Sequence, residues 1–160
     1  QLLFDDGNTE RVIVDAENCI EFHPHGYAPS KDYDNRFGMF PFAKHYYSRV
    51  ADFDSAEEFQ CAVELDHLAQ QGRIRFWVRN LVRKDQSSFY LQKADGKFYP
   101  DFVCMLPNDK ILVVEYKGAN GWTDAEDDRR IGGLWAEMSN DKCRFLMIKE
   151  KRWDWLEPKL

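Results

Sequence analysis

One stretch of sequence decides the fold of this chain: Ile111-Leu112-Val113-Val114-Glu115-Tyr116-Lys117, which ends at Gly118. Its four leading aliphatic residues form the nearly continuous apolar run that is typical of a strand covered on both faces. We therefore predict a central strand over residues 111–117. Because side chains alternate across a strand, Glu115 and Lys117 lie on one face and Tyr116 lies on the other.

Three further β-like segments precede the central strand, at residues 74–81, 89–93 and 98–105. Asp95-Gly96, between the second and third segments, is the strongest short signal for a β-hairpin. The turn residues Pro107-Asn108-Asp109 connect the third segment to the central strand. These segments predict a sheet in which hairpin turns bring the ends of neighbouring strands together.

A helix is predicted before these strands. Ser55 followed three residues later by Glu58 is a capping-box pattern, and Gly72 follows the helical run that extends to about Gln70. At about 100° per residue, Glu58 falls on the flank of the apolar side of this helix. Glu57 points further from that side and ranks below Glu58 as a residue directed towards the sheet.

A second helix is predicted from Asp124, and a short apolar strand follows it over residues 144–148. The apolar side chains of this helix recur at i, i+3, i+4 and i+7, and we expect them to pack on the sheet: Ile131, Leu134, Trp135 and Met138. Trp135 is therefore interpreted as a core residue rather than a platform for stacking bases. The order of elements indicates an α/β domain with a central mixed sheet flanked by helices.

The length of 160 residues suits one domain rather than two. Residues 51–160 carry the regular patterns and form the predicted core. Residues 1–50 are irregular and rich in aromatic side chains, so we expect an arm that packs on the core or on a missing neighbour. Because the chain begins with Gln1 rather than Met, we expect it to be a piece of a longer protein.

The formal net charge of −6 is the opposite of the basic balance expected of a free-standing nucleic-acid-binding protein. It is compatible with a nuclease, because a cluster of carboxylates is acidic and accepts phosphate once a divalent metal is bound. Another domain or subunit would then supply the affinity for DNA.

The cysteines are widely spaced and form no C-x-x-C pair: Cys19, Cys61, Cys104 and Cys143. We expect buried free thiols in a reducing cytosol, and hence a cytoplasmic location. No stretch approaches the roughly 18 consecutive apolar residues of a membrane span, and the first residues lack a signal-peptide pattern. We therefore expect no membrane partner.

The candidate chemistry lies where two predicted strands meet. Asp101 opens the third segment, and Glu115 and Lys117 end the central strand. Charges that follow four aliphatic residues are costly unless they are paired or bound to metal. Two carboxylates with a backbone carbonyl such as that of Tyr116 provide the oxygen ligands that Mg²⁺ prefers. Lys117 could hold a nucleophilic water, tune its protonation or neutralise developing charge, and the sequence leaves these three roles open.

Two motifs resemble those of a known nuclease family: Phe98-Tyr99-Pro100-Asp101-Phe102-Val103 and residues 111–118. Together they resemble the motif pair of PD-(D/E)XK nucleases, which have a restriction-endonuclease-like αβββαβ core. With Phe76-Trp77-Val78-Arg79-Asn80-Leu81 and Gly133-Leu134-Trp135-Ala136-Glu137, they also resemble the C-terminal nuclease region of type III restriction enzyme Res subunits. Those proteins are DEAD/H-type helicase–nucleases, and the resemblance covers about residues 40–148.

The resemblance implies an endonuclease domain that hydrolyses DNA with Mg²⁺, for which Mn²⁺ can substitute, within a restriction or defence helicase–nuclease. It carries Asp101 and Glu115 over as metal ligands and Lys117 as the catalytic cation. It also implies an acidic residue on the preceding helix, for which we choose Glu58, although helix capping explains that residue equally well. The implied partners are DNA and a helicase or ATPase domain in the same chain or complex.

Five basic residues are weaker candidates for contacts with DNA phosphates: Arg79, Arg83, Lys84, Arg129 and Arg130. Such residues ordinarily form a solvated charged face, and both interpretations, the solvated face and the contacts with DNA, are left open.

Two rival functions remain open. A catalytically inactive nuclease fold could serve as a DNA-binding or assembly module of a helicase complex. A different metal-dependent hydrolase could use His23 and His25, which flank Pro24, although a surface turn also explains these histidines.

Overall fold

The computed structural model describes residues 10–13, 19–22, 26–84 and 87–160. The strands are β1 (Glu10–Ile13), β2 (Cys19–Phe22), β3 (Phe76–Arg79), β4 (Leu91–Lys93), β5 (Gly96–Phe98), β6 (Phe102–Met105), β7 (Ile111–Lys117) and β8 (Cys143–Lys149). The α-helices are α1 (Ala56–Gln70) and α2 (Glu126–Glu137), and short 3₁₀ turns cover Thr123–Ala125, Trp153–Trp155 and Glu157–Lys159.

A four-stranded mixed sheet forms the centre of the fold, in the order β3-β6-β7-β8. Strand β6 is antiparallel to both β3 and β7, whereas β7 and β8 are parallel and are connected through α2. Residues 111–116 of β7 are all buried, as the continuous apolar run predicted. The α/β class and the central mixed sheet predicted from the sequence are therefore confirmed.

The two faces of the sheet carry separate hydrophobic clusters. On one face, side chains of α1 such as Phe59 and Leu65 pack with Trp77 and Phe102. On the other face, the partly buried side chains of α2 pack against a second cluster that contains Val113 and Phe145. Since side chains alternate along β7, Glu115 extends the α2 face of the sheet, and Tyr116 belongs to the α1 face.

Helix α1 begins and ends as its sequence predicted. The Ser55 hydroxyl accepts a hydrogen bond from the Glu58 amide at 3.1 Å, and the Glu58 carboxylate accepts one from the Asp54 amide at 3.2 Å. Gly72 adopts φ +78°, a left-handed conformation that glycine takes without strain. In the described ranges, no helix combines the length and the apolar character that crossing a membrane requires.

The predicted packing side of α2 is wrong in part. Ile131 and Trp135 pack against the core, but Leu134 is 45% exposed and Met138 is 76% exposed. The reason is the buried Gly132, where an added Cβ would lie 2.6 Å from the Phe145 ring. Because the helix approaches the sheet closely through this glycine, Leu134 and Met138 are turned towards solvent.

The predicted strand over residues 98–105 is interrupted. Strands β4 and β5 form the hairpin that Asp95-Gly96 predicted, with Lys93 opposite Gly96, but this hairpin is a separate two-stranded sheet. The residues Tyr99-Pro100-Asp101 lie between β5 and β6. Proline has no amide hydrogen to donate to a ladder, so Pro100 ends the pairing there.

The described part of the N-terminal arm packs on the core. Tyr27 and Tyr46 are buried in the cluster on the α2 face, and other aromatic residues of the arm border the α1 face. The buried Asp66 of α1 connects the arm to the core, because its carboxylate accepts hydrogen bonds from the amides of Ala43 and Lys44 at 3.1 and 2.8 Å. The arm also contains regular structure, because β1 pairs with β2 in an antiparallel ladder.

The cysteines whose side chains are described agree with the predicted buried thiols. Cys61, Cys104 and Cys143 are free and buried. Burial raises the pKa of the Cys61 and Cys104 thiols far above their usual range and that of Cys143 to about 11. These thiols stay protonated near neutral pH and are therefore unreactive.

Candidate active site at the end of the central strand

Glu115 lies at the centre of a charged cluster at the carboxyl end of β7. The residue is only 5% exposed. One carboxylate oxygen accepts a hydrogen bond from the Asp101 amide at 2.9 Å, and the other lies 3.1 Å from the Lys117 ammonium. Glu115 and Lys117 therefore share one face, as the strand alternation predicted.

Asp101 faces Glu115 across the β6–β7 pairing. Its carboxylate accepts a hydrogen bond from the Tyr116 amide at 2.8 Å, while its own amide donates to Glu115. The arrangement is reciprocal: the Glu115 carboxylate holds the backbone of Asp101, and the Asp101 carboxylate holds the backbone of Tyr116, the residue after Glu115. The structure brings together the three residues that the sequence placed at this position: Asp101, Glu115 and Lys117.

The backbone carbonyl of Tyr116 lies on the side of β7 that faces Asp101, as its amide does. Phe102 pairs with Val114, so the register continued by two residues sets Pro100 opposite Tyr116. In an antiparallel pair the amide and carbonyl of one residue point to the same neighbour, and the Tyr116 amide points to Asp101. Because Pro100 has no amide hydrogen, it cannot donate to this carbonyl, which leaves the oxygen available to a ligand.

Arg79, at the end of β3, is an internal cation of the cluster. Its side chain is 8% exposed and lies 2.5 Å from the Glu58 carboxylate and 3.5 Å from that of Asp101. The guanidinium also donates to the carbonyls of Asp52 and Asp101, at 3.2 Å each. Assigning Arg79 to a DNA-contacting or solvated face is therefore wrong, because its donors are used inside the protein.

The sequence did contain a signal for this role of Arg79. The residue ends a strand whose four members are all buried, Phe76–Arg79. A charged residue at the end of an apolar run is the feature that identified Glu115, and it applies to Arg79 as well.

Glu58 reaches the cluster from α1 through Arg79. The Glu58 carboxylate is 6% exposed and serves both the helix cap and the ion pair with Arg79. Its neighbour Glu57 also faces the end of β7, since the Tyr116 hydroxyl hydrogen-bonds to the Glu57 carboxylate. Both helical glutamates therefore border the cluster, although the sequence ranked Glu57 lower.

Burial controls the electrostatics of the cluster. Desolvation and then the nearby Asp101 raise the pKa of Glu58 to about 8, against the opposing effect of Arg79. The same two causes raise the pKa of Glu115 well above its usual range, against Lys117. Desolvation alone would lower the pKa of Lys117, but the Glu115 carboxylate outweighs it and raises the pKa. The cluster therefore contains more acidic groups than its two cations can neutralise, and it favours an additional positive charge.

The oxygen atoms around Asp101 and Glu115 fit a small hard cation. The donors are two carboxylates and the Tyr116 carbonyl, and Mg²⁺ is commonly held through one or two carboxylates with water in its remaining positions. Within the described residues, no group of three or more His, Cys, Asp or Glu side chains is arranged as a metal site. The candidate protein ligands here are the two carboxylates and the carbonyl.

Comparisons of the chain with protein-family models, curated proteins and solved structures give no match. The family relationship predicted from the two motifs therefore stays a prediction. The geometry of the cluster supports the interpretation of this site independently of any relative.

The remaining basic candidates are placed in different ways. Arg83 is exposed and Lys84 is half-buried, in the loop that follows β3. Arg130 is exposed and lies 3.4 Å from Asp127. Arg129 turns inward: its guanidinium donates to the Trp122 carbonyl, lies 4.1 Å from the Trp122 ring centroid and reaches the Met147 sulfur at 3.8 Å.

Arg129 is the one of these four residues that the described contacts place beside the site. Met147, which it contacts, is the register partner of Glu115 in the β7–β8 ladder. His23 and His25, the residues of the rival metal site, lie outside the described residues.

Proposed function

We propose that this chain is a metal-dependent nuclease domain with a restriction-endonuclease-like core of the PD-(D/E)XK type, which hydrolyses phosphodiester bonds in DNA. The reciprocal arrangement of Asp101 and Glu115, with the Lys117 ammonium beside it, is the observation that carries the proposal. The order of elements along the chain also supports it. This order is α1, β3, β6, β7, α2 and β8, with the β4–β5 hairpin inserted after β3.

Asp101, Glu115 and the Tyr116 carbonyl would hold Mg²⁺, or Mn²⁺ in its place. The bound ion supplies a water molecule of lowered pKa and positive charge next to the phosphate. Asp101 and Glu115 fix the position of this chemistry, because each carboxylate is anchored by a backbone amide of the neighbouring strand. The low exposure of Glu115 strengthens every charge interaction at the site.

Lys117 acts as a cation in this proposal. Because Glu115 raises the pKa of Lys117, the ammonium stays protonated at neutral pH and cannot accept a proton from water. Of the three roles open to it, holding the nucleophilic water and neutralising developing charge both fit a permanently protonated lysine. The position of its ammonium, 3.1 Å from Glu115, places that charge next to the proposed metal ligands.

Glu58 acts through Arg79. The Arg79 guanidinium joins the Glu58 and Asp101 carboxylates, so Glu58 orients the arginine that in turn borders Asp101. We assign Glu58 and Arg79 as positioning residues and leave metal binding to Asp101 and Glu115.

The chain would act on DNA that a neighbouring domain delivers. Its net charge of −6 opposes strong binding to DNA phosphates. A helicase or ATPase domain in the same chain or complex would supply most of the affinity, as the sequence motifs of type III restriction enzyme Res subunits suggest.

The test measures Mn²⁺ binding by calorimetry and nicking of a supercoiled plasmid for the wild-type chain and three variants. Asp101→Asn is expected to lose both properties. Lys117→Met is expected to retain metal binding but to lose nicking activity by a factor on the order of 10²–10³, the effect of removing a group that stabilises a transition state. Lys149→Met is the matched control, because Lys149 pairs with Lys117 in the β7–β8 register, and it is expected to change neither property.

The wild-type chain should also be fused to an unrelated DNA-binding domain, which removes weak DNA affinity as a cause of failure. No heat of metal binding and no nicking by this fusion would refute the nuclease. DNA binding by the unfused chain in the absence of metal, together with no nicking by the fusion, would instead favour the inactive nuclease-fold module.

A further inference from the structure

Two exposed residues, Tyr90 and Lys97, and the half-buried Tyr99 form a surface next to the carboxylate cluster. The Tyr90 and Tyr99 rings lie 5.8 Å apart, and the Lys97 ammonium lies 4.4 Å from the Tyr90 ring centroid. Tyr90 is 43% exposed, and Lys97 is also exposed on the β4–β5 hairpin. We call these three residues the tyrosine–lysine surface.

The buried Asn80 side chain fixes this surface relative to the site. Its amide nitrogen donates to the Phe89 carbonyl at 2.7 Å and to the Pro100 carbonyl at 2.8 Å, and its oxygen accepts from the Phe89 amide at 2.8 Å. Phe89 precedes Tyr90, and Pro100 follows Tyr99. One amide side chain therefore holds both tyrosine segments.

The same contacts place the surface close to the proposed metal ligands. The Asn80 backbone amide donates to the Asp101 carbonyl at 2.8 Å. Tyr99 is two residues from Asp101, so their Cα atoms are at most about 7 Å apart. A chain bound across the tyrosines would therefore lie close to Asp101.

The charge of the surface suits a phosphate chain. Among the described residues, no carboxylate lies within ion-pair distance of Lys97, whereas Lys93 on the same hairpin pairs with Asp128 at 3.0 Å. Lys97 therefore offers a positive charge beside an aromatic ring. Accessible aromatic rings beside a positive charge are the combination with which proteins bind single-stranded nucleic acid.

We propose that the tyrosine–lysine surface binds an unpaired DNA strand, with bases on Tyr90 and Tyr99 and a phosphate at Lys97. The unpaired form follows from the rings, because the faces of bases within a duplex are already stacked on one another and cannot cover a tyrosine. The role of this surface in presenting the strand to Asp101 rests on the proposed nuclease function, whereas the binding itself does not.

Fluorescence anisotropy with a labelled oligothymidylate and with a blunt duplex of the same length tests the proposal. The measurement is made in EDTA, so that binding is observed apart from cleavage. The wild-type chain is expected to bind the single strand more tightly than the duplex. Tyr90→Ala is expected to weaken single-strand binding by at least about fivefold, the loss that corresponds to ~1 kcal/mol for one stacked base.

Three further variants sharpen the result. Tyr90→Phe should bind like the wild type, because the ring is kept. Lys97→Gln should reduce the dependence of log K on log salt by about 0.7, the contribution of one phosphate contact in a single strand. Lys142→Gln removes an exposed lysine next to the start of β8, at the other end of the sheet, and should bind like the wild type.

Wild-type affinity in Tyr90→Ala, equal affinity for single strand and duplex, or no binding by the wild-type chain would each overturn the proposal. Its failure is distinguishable from failure of the nuclease. If the wild-type chain nicks plasmid but Tyr90→Ala binds the single strand as tightly as the wild type, only the tyrosine–lysine surface is refuted. If single-strand binding depends on Tyr90 but no nicking occurs, only the nuclease is refuted.

Discussion

The two ends of the main sheet carry the same kinds of ion pair in opposite environments. At the start of β7, Lys110 pairs with Asp141, whose side chain is 76% exposed. At the end of β7, Lys117 pairs with Glu115, whose side chain is 7% exposed. Lys110 lowers the pKa of Asp141, but the pKa of Glu115 is raised by burial and by Asp101 in spite of Lys117.

Strand β3 shows the same contrast with two arginines. Arg75 precedes the strand and lies 3.0 Å from the exposed Asp109, whereas Arg79 ends it and lies 2.5 Å from the buried Glu58. Pairing is therefore common to both ends of the sheet, and desolvation distinguishes them. A buried excess of acidic groups is a property that an exposed ion pair lacks, and it is the property on which the proposed binding of a divalent cation depends.

The largest expected effect follows from removing one arginine at each end of β3. Arg79→Met leaves the Glu58 and Asp101 carboxylates without their buried cation and is expected to cost about 3–5 kcal/mol of unfolding free energy. Arg75→Met removes the half-buried partner of the exposed Asp109 and is expected to cost within about 1 kcal/mol. Urea unfolding of both variants measures the difference, and equal losses would contradict the contrast.

A divalent cation is expected to stabilise only the end of the sheet that contains Asp101. At a Mg²⁺ concentration of about 100 times Kd, binding to the folded state adds about 2.7 kcal/mol, which thermal unfolding detects as a higher Tm. Asp101→Asn should abolish the shift, and Asp141→Asn should retain it. A shift of the same size in Asp101→Asn would place the ion elsewhere.

The pH dependence of stability is expected to differ between the ends. Because the folded pKa of Glu58 is raised from 4.5 to about 8, the metal-free folded state binds more protons than the unfolded state between these values. Its stability should fall as pH rises through this window, by at most about 1.4 kcal/mol per pH unit for one group. Glu58→Gln should reduce this slope in urea unfolding, while Glu115, whose pKa is raised as well, keeps its own contribution.

Asp141 should act in the opposite sense. Its folded pKa is lowered from 3.8, so its contribution is present above that value and is lost as pH falls below it. Asp141→Asn should therefore leave the slope above pH 5 unchanged, and a flattened slope there would contradict the assignment to Glu58.

The smallest effect is expected for Lys110→Gln. The carboxylate that this variant leaves unpaired, Asp141, remains solvated, so the urea midpoint should stay within experimental error at moderate salt. Any difference seen at low salt should disappear as salt is added. A persistent loss comparable to that of Arg79→Met would show that exposure does not separate the two ends.

The features predicted well from the sequence were those fixed by adjacent residues. The aliphatic run before Glu115 predicted β7, Asp95-Gly96 predicted the hairpin, and Ser55 with Glu58 predicted the start of α1. The convergence of Asp101 on Glu115 followed from the turn between their strands.

The features predicted poorly depend on distant contacts. The partners of Arg79 come from three separate parts of the chain, at residues 52, 58 and 101, and no local pattern relates them. The outward turn of Leu134 and Met138 depends on the approach of Gly132 to Phe145, a contact between α2 and β8. The break before β6 was different. Pro100 is a local signal against strand pairing, and the prediction of an uninterrupted strand over residues 98–105 did not take it into account.

If the chain binds metal and a DNA strand as proposed, the Asn80 contacts connect the two sites. Asn80 is bonded both to the Phe89 segment and to the backbone on either side of the Pro100–Asp101 peptide, so ordering one of these segments restrains the other. If an oligonucleotide on Tyr90 increases the affinity for Mg²⁺ by some factor, Mg²⁺ must increase the affinity for the oligonucleotide by the same factor. The two affinities are thus linked quantities, and measuring either one with and without the other ligand gives the coupling free energy between hairpin and carboxylates.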